Sequence, residues 1–224
     1  MILQTPLIHV FPFEKGVVTS IPPYDAAVLN SDDVVALVRD PEAVRRAAAD
    51  DVVVRRGAWA GGGDDVEKFL RWVVADLGRC SSVVVEHAEF GMYGSGYASY
   101  VDVFLSWRDG SGRVMEGERT EIRGFALALC RLAPVAALFG DVGISRSANG
   151  SSSRYLPTLE LVRDNPVPGW EKACREVTGV LDRHGITVLD STVLHTPVDP
   201  TISVETNLAA PPYTVFDAWF HWMD

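Results

Sequence analysis

The sequence predicts an α+β fold: a mainly antiparallel sheet with helices packed on one of its faces. Three observations predict it. From residue 64 onward a helical pattern is followed by two strand patterns, and this α-β-β order recurs three times. The links between strand patterns are short enough for hairpins, and Asn149-Gly150 suits a turn whose two central positions need positive φ. A parallel sheet would need a helix between successive strands, and the pattern does not supply one. The chain of 224 residues reads as one domain, with a mixed region over 1–60 and the three units over 64–224.

Each element has its own signal. Residues 2–11 read as an edge strand whose pairing Pro6 limits. Ser31 caps a short helix from Asp32 to Val38. Asp40 and Pro41 are an N-cap and first-turn pair that start a second short helix. Residues 52–56 read as a short strand. Val66, Phe69, Leu70, Val73, Val74 and Leu77 form an apolar stripe at helical spacing, so a helix is expected over 65–77, with Asp64 and Glu67 as its capping box. The segments SSVVVEHAEF and YASYVDVFLSW read as strands on either side of the loop GMYGSG. A linking strand, RVMEGERTEI, leads to a second helix over 124–139, apolar on nearly all sides and interrupted by Pro134. VGISRSA and SRYLPTLELV are the next two strands. A third helix over 170–183 places Trp170, Ala173, Cys174, Val177 and Leu181 on one face. ITVLDSTVLH and TVFDAWFHWM then read as the last strands.

Composition excludes several classes. At 47% hydrophobic and 22% charged the chain is globular and not disordered. The segment 125–139 is too short, and too interrupted by Arg131 and Pro134, to span a bilayer. MILQTPLIHVFPFEKG lacks the basic and apolar regions of a signal peptide, and the 3 cysteines, Cys80, Cys130 and Cys174, show no CxxC spacing. Both point to reduced, buried thiols in a cytoplasmic protein. The net charge of −10, with no Lys or Arg after Arg183, disfavours nucleic acid and suits either simple solubility or a basic protein partner.

Motifs that carry chemistry fall short. The loop GAWAGGGDD has neither the GK[ST] ending of a phosphate cradle nor a GxGxxG entry, and Asp64, Asp65 and Glu67 would repel a phosphate there. Tyr93-Gly94-Ser95-Gly96-Tyr97 lacks the GxSxG of a nucleophile elbow. His87 and Glu89 share one face of a strand, but no further ligand at metal spacing accompanies them. Glu116, Glu118 and Glu121 among Arg113, Arg119 and Arg123 read as a solvated ion-pair face, and Arg146 and Arg154 as solvated arginines beside a turn. No cofactor, metal or catalytic residue is therefore assigned. In TVFDAWFHWMD, read as a strand, Asp217, Trp219, His221 and Met223 share the face opposite Phe216, Ala218, Phe220 and Trp222. Asp217 and His221 then stand about 13 Å apart, too far for a catalytic hydrogen bond. This mixed face reads either as that of a central strand partly covered by a helix, or as an exposed contact surface of Asp217, Trp219, His221 and Asp224, with Trp59 in the glycine loop as a further contact.

In its acidic balance, its α-β-β order and its ending FDAWFHWMD, the chain resembles the immunity proteins of bacterial polymorphic-toxin systems. That resemblance implies a catalytically inert cytoplasmic protein that binds a cognate toxin and occludes its active site. Two other readings stand beside it: an enzyme whose pocket uses His87, Glu89 and whichever of His195 or His221 approaches them, and a structural or assembly subunit.

Overall fold

The computed structural model describes residues 31–94, 96–148, 152–165 and 167–224. The edge strand expected over 2–11 and the Asn149-Gly150 turn lie outside the described residues.

Helices α1 (Ser31–Arg39) and α2 (Pro41–Ala48) come first. Asp40 caps α2 as its sequence position predicts: Oδ1 accepts from the backbone N–H groups of Glu42 at 3.1 Å and Ala43 at 2.9 Å. Residues 52–56 form no strand; Val53 N–H instead donates to the Leu132 carbonyl at 3.0 Å. Helix α3 (Gly63–Leu77) carries the expected stripe, buried throughout. Its capping box is absent. The N-cap is Gly62 at φ 97, so the helix starts early enough to place Asp64 inside its first turn. Glu67 turns instead to Arg71 at 2.7 Å and Arg131 at 3.4 Å.

The strands β1 (Val83–Glu89), β2 (Tyr97–Ala98), β3 (Tyr100–Trp107), β4 (Arg113–Glu116), β5 (Arg119–Cys130), β6 (Val135–Ser147) and β7 (Ser152–Arg154) follow with only short turns between them. Helix α4 (Glu171–Arg183), the short strand β8 (Thr187–Val188), helices α5 (Ser191–Leu194) and α6 (Val215–Trp219), and β9 (Trp222–Met223) complete the described chain. The main sheet runs β1-β3-β5-β6-β7 with every neighbour antiparallel. β4 extends it beside β5, and β8 adds one parallel pair to β6. β2 and β9 form a separate two-stranded ladder. The expected α+β class and mainly antiparallel sheet are thus present.

The helices, however, cover both faces. On one face α1, α2, α5 and α6 pack on Tyr100, Phe104, Ala126, Ala128, Cys130 and Phe139. On the other, α3 and α4 pack on Val101, Val103, Leu105, Phe125, Leu127 and Leu129. A sheet covered twice needs strands that are apolar on both sides, and β3, β5 and β6 are built that way.

That property overturns the expected helix over 124–139. The segment is a hairpin: the second half of β5, a turn over 131–134, and the first half of β6. A strand buried on both faces and a buried helix are equally apolar, so periodicity cannot separate them. Pro134 marks the turn and not a kink. The linking strand likewise splits into β4 and the start of β5, with Gly117 at φ 62 in the turn between them. Only the first α-β-β unit is therefore realised, as α3, β1 and β3.

Two expected strands near the C-terminus are mostly helical. Asp190 caps α5 by accepting from Val193 N–H at 2.8 Å. Thr214 and Asp217 form a reciprocal capping box at the start of α6: Thr214 N–H donates to Asp217 Oδ2 at 2.7 Å, and Asp217 N–H donates back to Thr214 Oγ1. The box turns the chain into a helix before the alternation of TVFDAWFHWM can be laid out along a strand.

Candidate functional site

A flat sheet would hold β1 and β7 about 19 Å apart, four strand spacings. Yet Arg154 of β7 donates through Nη2 to Glu89 Oε2 of β1 at 3.0 Å, and its Nη1 lies 2.5 Å from His87 Nε2. Arg146 of β6 also reaches β1, donating to the Glu86 carbonyl at 3.0 Å. The sheet is therefore curled until its two edges face each other.

Local irregularities produce the curl. β1 carries one extra residue at Glu86, between Val85 and His87 in its register with β3. β6 carries another at Gly140–Asp141, with Asp141 at φ 54. Such bulges bend and twist the strand that holds them. Gly124 permits a close approach beside the second bulge, because a Cβ there would stand 1.9 Å from the Leu105 carbonyl oxygen.

The concave side carries a polar cluster. The bulge turns Glu86 inward, where its carboxylate accepts from Ser106 Oγ at 2.5 Å and pairs with Arg113 and Arg146. His87 and Glu89 do share one face, as their alternation predicts, with Nε2 and Oε2 3.4 Å apart. Next to them Asp102 of β3 is 1% exposed. Its Oδ1 accepts from Tyr155 Oη at 2.6 Å, and its Oδ2 lies 3.4 Å from Tyr93 Oη. Tyr93 and Tyr100 hydroxyls are 3.3 Å apart. The Arg154 guanidinium lies 5.2 Å from the centroid of the Tyr93 ring.

The two carboxyls respond oppositely. Burial pushes Asp102 up to about 6, partly offset by the Tyr155 hydrogen bond. Glu89 is held at about 2, first by its hydrogen bond with His87 and then by Arg154, against a desolvation cost. Burial also pushes the Tyr93, Tyr100 and Tyr155 phenols above their ordinary range, so these phenols are neutral donors near neutral pH. The cluster can hold a proton on Asp102 and hold a charged pair, Arg154 with Glu89, beside it.

Neither expected histidine joins this cluster. His195 is exposed and bonded to the Ser191 carbonyl, and His221 Nε2 sits 2.5 Å from Asp50 Oδ1. Arg154, read from sequence as solvated, takes their place. Asp102, Tyr93, Tyr100 and Tyr155 were not anticipated. One signal was present: Asp102 is the lone carboxylate in YVDVFLSW, a strand apolar on both faces. Among the described residues no group of three or more His, Cys, Asp or Glu could hold a metal ion.

The contact surface expected from FDAWFHWMD is not exposed. Trp219 is 0% exposed, His221 1% and Asp217 6%. Trp219 Nε1 donates to the Val38 carbonyl at 3.2 Å, Asp217 serves the α6 cap, and His221 is covered beside Asp50. These side chains are core because α6 is a helix wedged between α2 and the sheet. Trp59 is also buried, edge-on to Phe69 with centroids 5.2 Å apart. Of the five expected contact residues, only Asp224 is exposed.

Comparison of the chain with protein-family models, with curated proteins and with solved structures finds no match.

Proposed function

We propose that this chain is a non-catalytic binding protein of the bacterial cytoplasm that neutralises a basic protein, such as a toxin, by covering its active site. One observation carries the reading. Helices α1 and α2 pack with the C-terminal segment in a single core, and the exposed charged residues of these segments are mostly carboxylates. Over residues 31–56 and 184–224, Asp32, Asp33, Asp40, Glu42, Asp51, Asp190, Asp199, Glu205 and Asp224 are exposed, against the exposed cations Arg39, Arg45, Arg55 and Arg56. Carboxylates so placed can occupy the sites where a basic partner would hold phosphate, and they raise its association rate. The free, buried Cys80, Cys130 and Cys174 suit a reducing compartment.

The test is capture from the native host at low salt, followed by titration of the released protein with the purified chain. The expected result is one basic protein, released by a salt step, whose own activity falls to background at one equivalent. Substituting Asp32→Lys, Asp199→Lys and Glu205→Lys together should lower the association rate at least tenfold at low ionic strength, with little change in dissociation. Binding that ignores salt, or a captured protein whose activity persists, would overturn the proposal.

The approach of His87 to Glu89 supports a second reading, an enzyme at the curled face. An activity lost in His87→Ala, with partner capture intact, would select it.

A further inference from the structure

We infer that the seam between β1 and β7 is a latch of side chains, able to part while each strand keeps its ladder, and that parting it uncovers Asp102 and the phenols around it. The ladders run from β1 through β3, β5 and β6 to β7, and among the described residues no ladder joins β1 to β7. Guanidinium groups cross the gap instead: Arg154 to Glu89 and His87, and Arg146 to the carboxylate and the main-chain carbonyl of Glu86. The two arginines leave from the same side. Beyond the extra residue at Gly140–Asp141, Val142 and Ile144 of β6 stay in the core while the end of the strand, Ile144 to Arg146, pairs with β7, so one movement of this paired end carries both arginines.

The same movement reaches the buried carboxylate. Tyr155 follows Arg154 directly in the chain, and its hydroxyl is the closest partner of Asp102. Drawing Arg154 away from Glu89 also draws this hydroxyl from Asp102. The other groups that face Asp102 stay behind: His87 on β1, Tyr93 on the turn after β1, and Tyr100 on β3 itself. The latch meets solvent on its arginine side, with the Arg154 side chain 25% and the Arg146 side chain 46% exposed against 13% for Glu89 and 4% for Glu86, so dissolved ions act on it through the guanidinium groups. The strand ladders and the two cores beneath are not screened in this way.

Hydroxyl-radical footprinting of the full chain, read residue by residue by mass spectrometry, tests this. Between about 0.01 and about 1 M salt the screening length falls from roughly 30 to roughly 3 Å. Over that range labelling of Tyr155 should rise several-fold, while Trp219 and Phe125, which lie away from Tyr155, stay protected. Arg154→Gln should show the high-salt labelling of Tyr155 already at low salt and lose the salt response. Tyr155 labelling that ignores salt in the unaltered chain, or that is no higher in Arg154→Gln at low salt, would overturn the inference. Should Arg154→Gln unfold, which labelling of Trp219 would reveal, Glu89→Gln decides by the same readout, because it removes the charge and keeps the shape.

Discussion

Asp102 and Glu89 stand on one face of the sheet and are driven in opposite directions, because burial disfavours the charge of Asp102 while a hydrogen bond with His87, and then the Arg154 guanidinium, holds that of Glu89. The sign of each effect on stability follows. Asp102 binds its proton more tightly in the folded chain, so its contribution is greatest below the ordinary aspartate range and is lost as pH rises toward 6. A rise from 3.8 to about 6 corresponds to roughly 3 kcal/mol. Urea unfolding of the Asp102→Asn variant, which cannot ionise there, should therefore shift relative to the unaltered chain by about that amount between pH 4 and 7, in favour of the variant at the higher pH. Glu89 behaves in reverse: its contribution is present above its ordinary range and is lost as pH falls from 4.5 toward 2. The stability gap between the unaltered chain and Glu89→Gln should close over that acid window, measured the same way.

At the level of elements, a sharp constraint within the main sheet is the pairing of β3 with β5 at Gly124. A methyl group there would meet the Leu105 backbone oxygen at 1.9 Å, and a ladder carbonyl cannot move aside as a flexible side chain can. Gly124→Ala should cost about 3 kcal/mol, read as a lower urea midpoint with an unchanged slope. Sequence alone recovered elements whose signal is local. Asp40 before Pro41, and the stripe from Val66 to Leu77, fix α2 and α3 with no help from the rest of the chain. It failed where burial is set by distant segments. The hairpin of β5 and β6 reads as a helix because helices from both ends of the chain cover its two faces, which leaves no polar side to show a period of two. The same limit hid the candidate site. His87 and Glu89 were legible as neighbours along one strand, but Arg154 reaches them only through the curl, and the bulges at Glu86 and Gly140–Asp141 that cause it have no fixed sequence mark. At the C-terminus a cap of Thr214 and Asp217 outweighed ten residues' worth of strand-like pattern, and so turned an expected surface into core.

For the molecule as a whole, the two cores are separated only by the sheet they share. Strands β3, β5 and β6 supply alternate residues to each, so neither core can come apart without stripping cover from the strands that hold the other. Equilibrium unfolding of the described body should accordingly be a single transition, with far-ultraviolet circular dichroism and tryptophan fluorescence superimposing. Two separated midpoints would contradict this. The latch belongs to a different scale of free energy, since its parting breaks no strand ladder and leaves the α3–α4 core covered, and it should show no trace in either unfolding signal. One further consequence comes from the cysteines. Cys80, Cys130 and Cys174 are all buried, and burial pushes the Cys130 thiol up to about 12. Since a thiol reacts as its exposed thiolate, a disulfide reagent added in excess can reach them only when the chain opens around them. The colour released by that reagent is therefore a built-in stopwatch for the opening rate of the native protein under conditions where no denaturant is present.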